Sequence, residues 1–129
     1  MRLLLDTHVL LWWVTGDRKL PTQCVAWIVD RANEIAISPV SAYEIRFKAH
    51  KGLLPHGEAA LEAIERVVGS AGFLSMPLTW AHAIAAGTLP MTHRDPFDRL
   101  LAGQAIAEGY SLLSADAAFD HLGAVRVWA

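Results

Sequence analysis

The stretch "THRDPFD" (92–98) places Asp95 and Asp98 within one helical turn, with Arg94 just before them and Arg99 just after. Four further acids, Asp6, Glu44, Asp116 and Asp120, adjoin short apolar runs elsewhere in the chain. Two carboxylates about 4 Å apart repel by roughly 4 kcal/mol at an effective dielectric of about 20. A cluster of them stays ionised only beside a cation, and otherwise shifts its pKa values upward. Oxygen donors without thiolates select a hard divalent ion, Mg²⁺ or Mn²⁺. On the edge of an α/β sheet such an ion suits phosphodiester hydrolysis, where it activates water and offsets charge on the phosphate.

That chemistry requires elements that bring the acids together, and the apolar pattern supplies them. "RLLLDT" is a buried strand closed by polar residues, followed by a helix over "HVLLWWVTG" that Gly16 stops. Helical spacing then runs from Thr22 to Asn33, "IAIS" (35–38) is a second strand, and Pro39 starts a helix reaching about Lys51. A helix from Glu58 to about Val68 precedes a third strand in "FLSMPL", and "TWAHAIAAG" is a short helix ended by Gly87. Pro96 to Glu108 forms a helix capped by Gly109; "YSLLSA" is a fourth strand, "DAAFDHLG" a turn or short helix, and "AVRVW" a fifth strand.

Alternating strands and helices predict one three-layer α/β/α domain over residues 1–129, with a central, mainly parallel sheet of four to five strands. The active edge of such a sheet lies where strands end and helices begin. Asp6, Glu44, Asp95, Asp98, Asp116 and Asp120 all map to that rim, six of the 13 acidic residues. Structural duties compete for each. Asp95 before Pro96 has the position of a helix N-cap. Asp98 complements the helix dipole. Glu44 could close a capping box with Ser41, but Pro39 assigns the cap to Ser38. Asp116 could cap the turn after the fourth strand, and Asp120 reads as a solvated helix residue. Asp6, ending a buried strand, has the weakest structural excuse, since a lone buried carboxylate is costly. Thr7 and Ser114 adjoin these acids; their hydroxyls either orient water at a metal or satisfy turn backbone.

The bulk composition sets limits. With 53% hydrophobic residues and a mean hydropathy of +0.30, the chain carries more apolar surface than one small core needs, which calls for an interface. Its longest apolar run, "VLLWWV", is far short of the ~20 residues of a membrane helix. Cys24 stands alone, so neither a disulfide nor a Cys/His zinc site is available, and "MRLLLDT" meets an acid at its sixth residue rather than forming a secretion signal; a cytoplasmic protein is expected. The net charge of −2 gives no global basic field, but Arg46, Lys48, Lys51, Arg94 and Arg99 cluster near the acidic rim as a collar for phosphates. Within it Arg46, Lys48 and Arg94 are the expected contacts to a nucleic-acid backbone, whereas Arg99 could merely pair with a carboxylate. His8 is expected to pack at a helix start, His50, His56, His82, His93 and His121 to lie on the surface, and the five Trp residues to fill core or interface.

Taken together, "MRLLLDTHVLLWW", "SAYEI", "HRDPFDRLLAGQA" and "SLLSAD" resemble, in order and spacing along essentially the whole chain, the PIN-domain ribonucleases, and among them the VapC-type toxins of toxin–antitoxin pairs. The resemblance implies an acidic tetrad at Asp6, Glu44, Asp98 and Asp116, with Asp95 accessory and Asp120 the competitor of Asp116 for the fourth place. It further implies Mg²⁺- or Mn²⁺-dependent endonucleolytic cleavage of RNA, with tRNA and rRNA as candidate substrates, a homodimer, and inhibition by a cognate antitoxin. Two rivals are kept: a PIN-like domain that binds RNA or a partner without cutting, and a receiver-like phosphoacceptor domain. The second wants a Lys at a late strand end, whereas the last Lys is Lys51. A related phosphatase would want a second Asp where "DTH" has His8.

Overall fold

The computed structural model describes residues 1–129. Its elements run β1 (Arg2–Leu5), α1 (Thr7–Thr15), α2 (Thr22–Val29), β2 (Glu34–Ile37), α3 (Pro39–His50), α4 (Gly57–Ser70), β3 (Leu74–Ser75), α5 (Trp80–Thr88), α6 (Pro96–Glu108), β4 (Ser111–Leu113), a 3₁₀ turn (Ala117–Leu122) and β5 (Arg126–Val127). The five strands form one sheet in the order β3-β2-β1-β4-β5, and every pairing is parallel, more uniform than the mainly parallel sheet expected.

Three consecutive leucines build the centre. In β1, side chains alternate across the pleat, so Leu3 and Leu5 enter one core with Val9, Leu10, Ile35, Ile37 and Leu113, while Leu4 enters the other with Ala36, Leu112 and Leu101. All three leucines are fully buried, as a central parallel strand covered on both faces requires. The layers are therefore α/β/α. Because the chain winds from β1 to β2 and β3 on one side, then returns to β4 and β5 on the other, the switch point lies between β1 and β4. Ligands of open α/β sheets bind in the crevice at such a point. A receiver domain would instead have the order 2-1-3-4-5, so this topology excludes that rival.

Local signals account for most boundaries. Gly16 and Gly109 close α1 and α6 in the left-handed conformation, with φ of 65° and 71°. Ser38, not Ser41, caps α3, accepting from the Val40 N–H at 3.0 Å ahead of Pro39. Two helices differ from expectation. α2 stops at Val29 rather than Asn33, because Asp30 turns extended and its carboxylate accepts from the Ala32 N–H at 2.9 Å. α5 runs through Gly87 to Thr88, whose hydroxyl donates back to the Ile84 carbonyl at 2.7 Å. The third strand is only two exposed residues long, and the "DAAFDHLG" segment is the 3₁₀ turn.

The pairing of α5 with α6 is unusually close. A Cβ on Gly103 would stand 2.9 Å from the Ala86 nitrogen and 3.0 Å from the His82 carbonyl oxygen, so that crossing accepts no side chain at all. His82 corrects the expectation of a surface residue. It is 2% exposed: its Nδ1 accepts from the Thr79 N–H at 3.0 Å, the Thr79 hydroxyl accepts from its own N–H, and its Nε2–H donates to Glu108 at 3.1 Å. Trp12, Trp13, Trp27 and Trp128 pack partly buried against the core, while Trp80 is 85% exposed.

Candidate active site

The crevice at the switch point is lined from three directions. Asp6 leaves the end of β1 and occupies the N-cap position of α1, yet its side chain makes no capping bond. Instead it accepts from the Ser114 hydroxyl, at the end of β4, at 2.7 Å. The strand ends are held in register by the Asp6 N–H donating to the Leu113 carbonyl at 3.1 Å. Asp6 is 5% exposed, and burial pushes its carboxyl above the usual carboxylate range, with Glu44 adding to the rise and the Ser114 bond and His8 opposing it.

Glu44 enters from α3 and is 4% exposed. Its Oε2 accepts from the Lys48 ammonium, and its Oε1 is the one buried side-chain polar atom of the molecule with no hydrogen-bond partner. The hydroxyls of Thr7 and Ser41 share a buried hydrogen bond at 2.9 Å, which pins the start of α1 to α3 and so fixes Asp6 relative to Glu44. Thr7 thus has a positioning bond, and Ser114 does double duty: besides donating to Asp6, its oxygen accepts from the Asp116 N–H at 3.0 Å.

Asp98 enters from the first turn of α6. Its Oδ2 accepts from His93 Nε2–H at 2.8 Å. Burial lifts its carboxyl to about 6, opposed by the His93 bond and reinforced by the negative charges of Asp95, Asp6 and Glu44. Those four acids therefore share one field, delivered by β1, α3 and the start of α6. Asp95 has the capping role its place before Pro96 implies: it accepts from the N–H groups of Phe97 and Asp98 at 2.9 and 3.1 Å.

Asp116 stands at the margin. It is exposed, caps the 3₁₀ turn by accepting from the Ala118 N–H at 2.9 Å, and shares with Asp6 a small cavity walled by His8, Trp12 and Ala115. Asp120 faces Arg126, which donates to it from Nε at 3.0 Å and Nη2 at 3.1 Å. His8 is exposed beside that cavity, its ring 6.0 Å from Trp12, rather than packed at the helix start.

The basic collar divides. Arg94 is exposed next to Asp95. Arg46 is exposed too, but pairs with Glu58 of α4. Lys48 points into the crevice. Arg99 is no part of the collar and pairs with no carboxylate: it is buried, and its guanidinium donates to the carbonyls of Pro90 (2.6 Å), Leu89 (2.8 Å), Ala86 (2.9 Å), His93 (3.0 Å) and Gly87 (3.5 Å). It lashes the α5–α6 connection to α6, and with it the backbone of His93.

His93 and Ser41 are the residues that sequence reasoning missed. The signal for His93 was its place in the same "THRDPFD" loop as the acid it holds. The i,i+4 spacing of Glu44 and Lys48, acid before base on one helix face, likewise announces their pairing.

The oxygen donors fit a hard divalent ion. Asp6 makes no side-chain capping bond, Glu44 offers a buried oxygen with no partner, and the one cysteine, Cys24, is buried in the core away from them. The side chains are not drawn into a finished cage, however: no three His, Cys, Asp or Glu groups converge to ligand distance of one point.

Residues 3–125 match the family model of the PIN domain. The chain belongs to the PIN-domain family. Among curated proteins it is similar to Ribonuclease VapC22 of Mycobacterium tuberculosis, 26% identical over 129 residues, spanning 97% of each chain. Among solved structures it is similar to VapBC2 from Rickettsia felis bound to a DNA fragment from its promoter, with a TM-score of 0.72, 16% identity and 98% of each chain covered. It is also similar to FitAcB from Neisseria gonorrhoeae, with a TM-score of 0.67, 17% identity, and 98% of this chain and 96% of that one covered. At those identities the structural likenesses show the fold, and agree with the PIN-like α/β/α architecture.

Proposed function

We propose that this PIN domain is a divalent-metal-dependent endoribonuclease and the toxin of a toxin–antitoxin pair. The observation that carries the catalytic reading is Glu44 Oε1, buried without a partner in the field of Asp6, Asp95 and Asp98. Native proteins pair their buried polar atoms, so an oxygen left open beside buried Asp6 and half-buried Asp98 marks a place for a cation. The likeness to Ribonuclease VapC22 supports RNA as the substrate class, and the likeness to VapBC2 supports an antitoxin partner.

Asp6, Glu44 and Asp98 would hold Mg²⁺ or Mn²⁺, with Asp116 joining across the small cavity it shares with Asp6. A bound divalent ion supplies a Lewis acid that activates water and offsets charge growing on the phosphate. The chain's own groups set the geometry. Ser114 holds the Oδ2 oxygen of Asp6. His93 orients Asp98, and the Thr7–Ser41 bond fixes α1 against α3. Asp95 holds the helix start that presents Asp98. Lys48 borders the crevice through its bond to Glu44; Arg94, exposed beside the α5–α6 groove, and Arg46, paired with Glu58, are the further cations we assign to the RNA backbone. One domain over 1–129, a homodimer and a cytoplasmic site complete the reading; no helix is long and apolar enough to cross a membrane.

Incubation of purified protein with RNA in Mg²⁺ or Mn²⁺ tests it. Wild type should cut, EDTA should stop it, and Asp6→Asn should lower the rate at least about a hundredfold while keeping the fold, since removing one buried like charge relieves repulsion. An Asp6→Asn variant cutting at the wild-type rate would refute the role. Wild type that binds RNA and metal without cutting would leave a non-catalytic PIN domain.

A further inference from the structure

Each of the three acids, Asp6 and Glu44 buried and Asp98 half-buried, has one oxygen occupied by a side-chain donor of this chain, but the donors differ in kind. Ser114 and His93, which hold Asp6 and Asp98, are short side chains fixed at a strand end and in a tethered loop. Glu44 is held by an ammonium on a four-carbon stem. Lys48 sits one turn further along α3, at the crevice rim, with its side chain 33% exposed against 5% for Glu44. Its charge is shared: besides Glu44, the carboxylates of Asp95 and Asp98 act on it favourably. Its reach ends at Oε2, so the same carboxylate keeps Oε1 buried and open. A compact ammonium on a flexible stem is well suited to leave when a stronger cation arrives.

We propose that Lys48 is the resident counter-ion of this pocket, seated against Glu44 until a divalent cation displaces it, so that loading the site is an exchange of cations rather than simple capture. The proposal rests on the metal-site reading above. The ammonium stays charged throughout; what changes is the anion it faces. Displaced from Glu44, it turns to the rim, where Asp95 and an incoming backbone phosphate would be the anions it faces, so loading the site also arms its grip on RNA. The exchange accounts for acids that share a field without closing into a cage: a single charge at Oε2 compensates part of the repulsion and leaves the ligands apart.

Calorimetric titration with Mn²⁺, without RNA, tests the exchange on wild type, Lys48→Met and Lys48→Arg. Lys48→Met should bind Mn²⁺ about tenfold more tightly, the effect of deleting one partly screened positive charge at the rim. Lys48→Arg, which keeps the charge, should not bind more tightly. In EDTA, Lys48→Met should melt below wild type, and Mn²⁺ should raise its Tm by more. A folded Lys48→Met with unchanged or weaker Mn²⁺ affinity overturns the exchange and leaves the metal site standing. Heats of binding absent from all three proteins overturn the metal site, and the exchange with it. Should Lys48→Met not fold, a crystal of wild type grown with Mn²⁺ decides: Nζ withdrawn from Glu44 supports the proposal, and Nζ still bonded to Oε2 beside a bound ion refutes it.

Discussion

Arg99 and Glu44 are both charged, both buried and both carried on helices that flank the same sheet, yet the fold treats them in opposite ways. Around Arg99 the chain brings up carbonyls from five residues, so that both terminal nitrogens of the guanidinium are used. Around Glu44 it brings up one lysine and leaves an oxygen with nothing. Burying a polar group without a partner costs about 1–3 kcal/mol, and the α5–α6 side shows that this chain can meet that need where structure is the aim. An orphan on the acidic side is therefore informative about function in a way that a satisfied charge is not.

The contrast is broken most severely at Arg99. Arg99→Met keeps the bulk and removes the donors, leaving the carbonyls of Pro90, Ala86, Leu89 and His93 to find others. A loss of about 3 kcal/mol is expected, read as a lower midpoint in urea unfolding. Lys in its place offers a point charge without the planar fork and should recover only part. Because the same guanidinium holds the His93 backbone, RNA cleavage should fall as well, even under conditions where the variant is folded. Unaltered stability in Arg99→Met would mean that water replaces the fork at no cost.

Asp98 sharpens the comparison from the other side, through pH. Burial raises its carboxyl from 3.8 to about 6, and the neighbouring acids push in the same direction. In metal-free protein the folded state then keeps a proton that the unfolded chain releases. That contribution is complete below about pH 4 and is lost as pH rises through about 6. Asp98→Asn carries no charge to lose. In EDTA it should therefore melt above wild type at pH 7.5, and the gap should shrink as pH falls from 6 toward 4. A gap that stays constant over that range would remove Asp98 from the buried cluster.

How much of this was legible from sequence follows the same division. The strand that ends in Asp6 and the helix that opens at Asp95–Pro96 announce themselves, because an apolar run closed by an acid and an acid before proline are local patterns with local causes. The parallel sheet followed from alternation of strands and helices, whereas its order, β3-β2-β1-β4-β5, is set by long-range pairing that alternation does not reveal. Arg99 and His82 were misplaced because their partners are backbone carbonyls and N–H groups, together with Glu108 across α5 and α6, and a backbone acceptor leaves no mark on residue type. The early end of α2 was missed for the reverse reason: Asp30 competes with the helix through a bond to its own neighbouring backbone, a local effect weaker than the apolar periodicity around it.

The smallest expected effect concerns which acid is fourth, where sequence left Asp116 and Asp120 in competition. The carboxylate of Asp120 is engaged by two guanidinium nitrogens of Arg126, and that pairing holds its pKa below the usual range. Its partner Arg126 is itself anchored on the Ser114 carbonyl at 3.3 Å, so Asp120 is turned along β5 rather than into the crevice. Asp116 spends one oxygen on the Ala118 N–H and borders the cavity of Asp6. Asp120→Asn, which breaks an exposed ion pair, should leave RNA cleavage within about twofold of wild type. Asp116→Asn keeps a capping oxygen, so the 3₁₀ turn survives, and cleavage should fall by about tenfold or more. If Asp120→Asn were the variant to lose cleavage, Arg126 would have to release it on loading, and the displacement inferred for Lys48 would have a second instance at the opposite wall of the crevice.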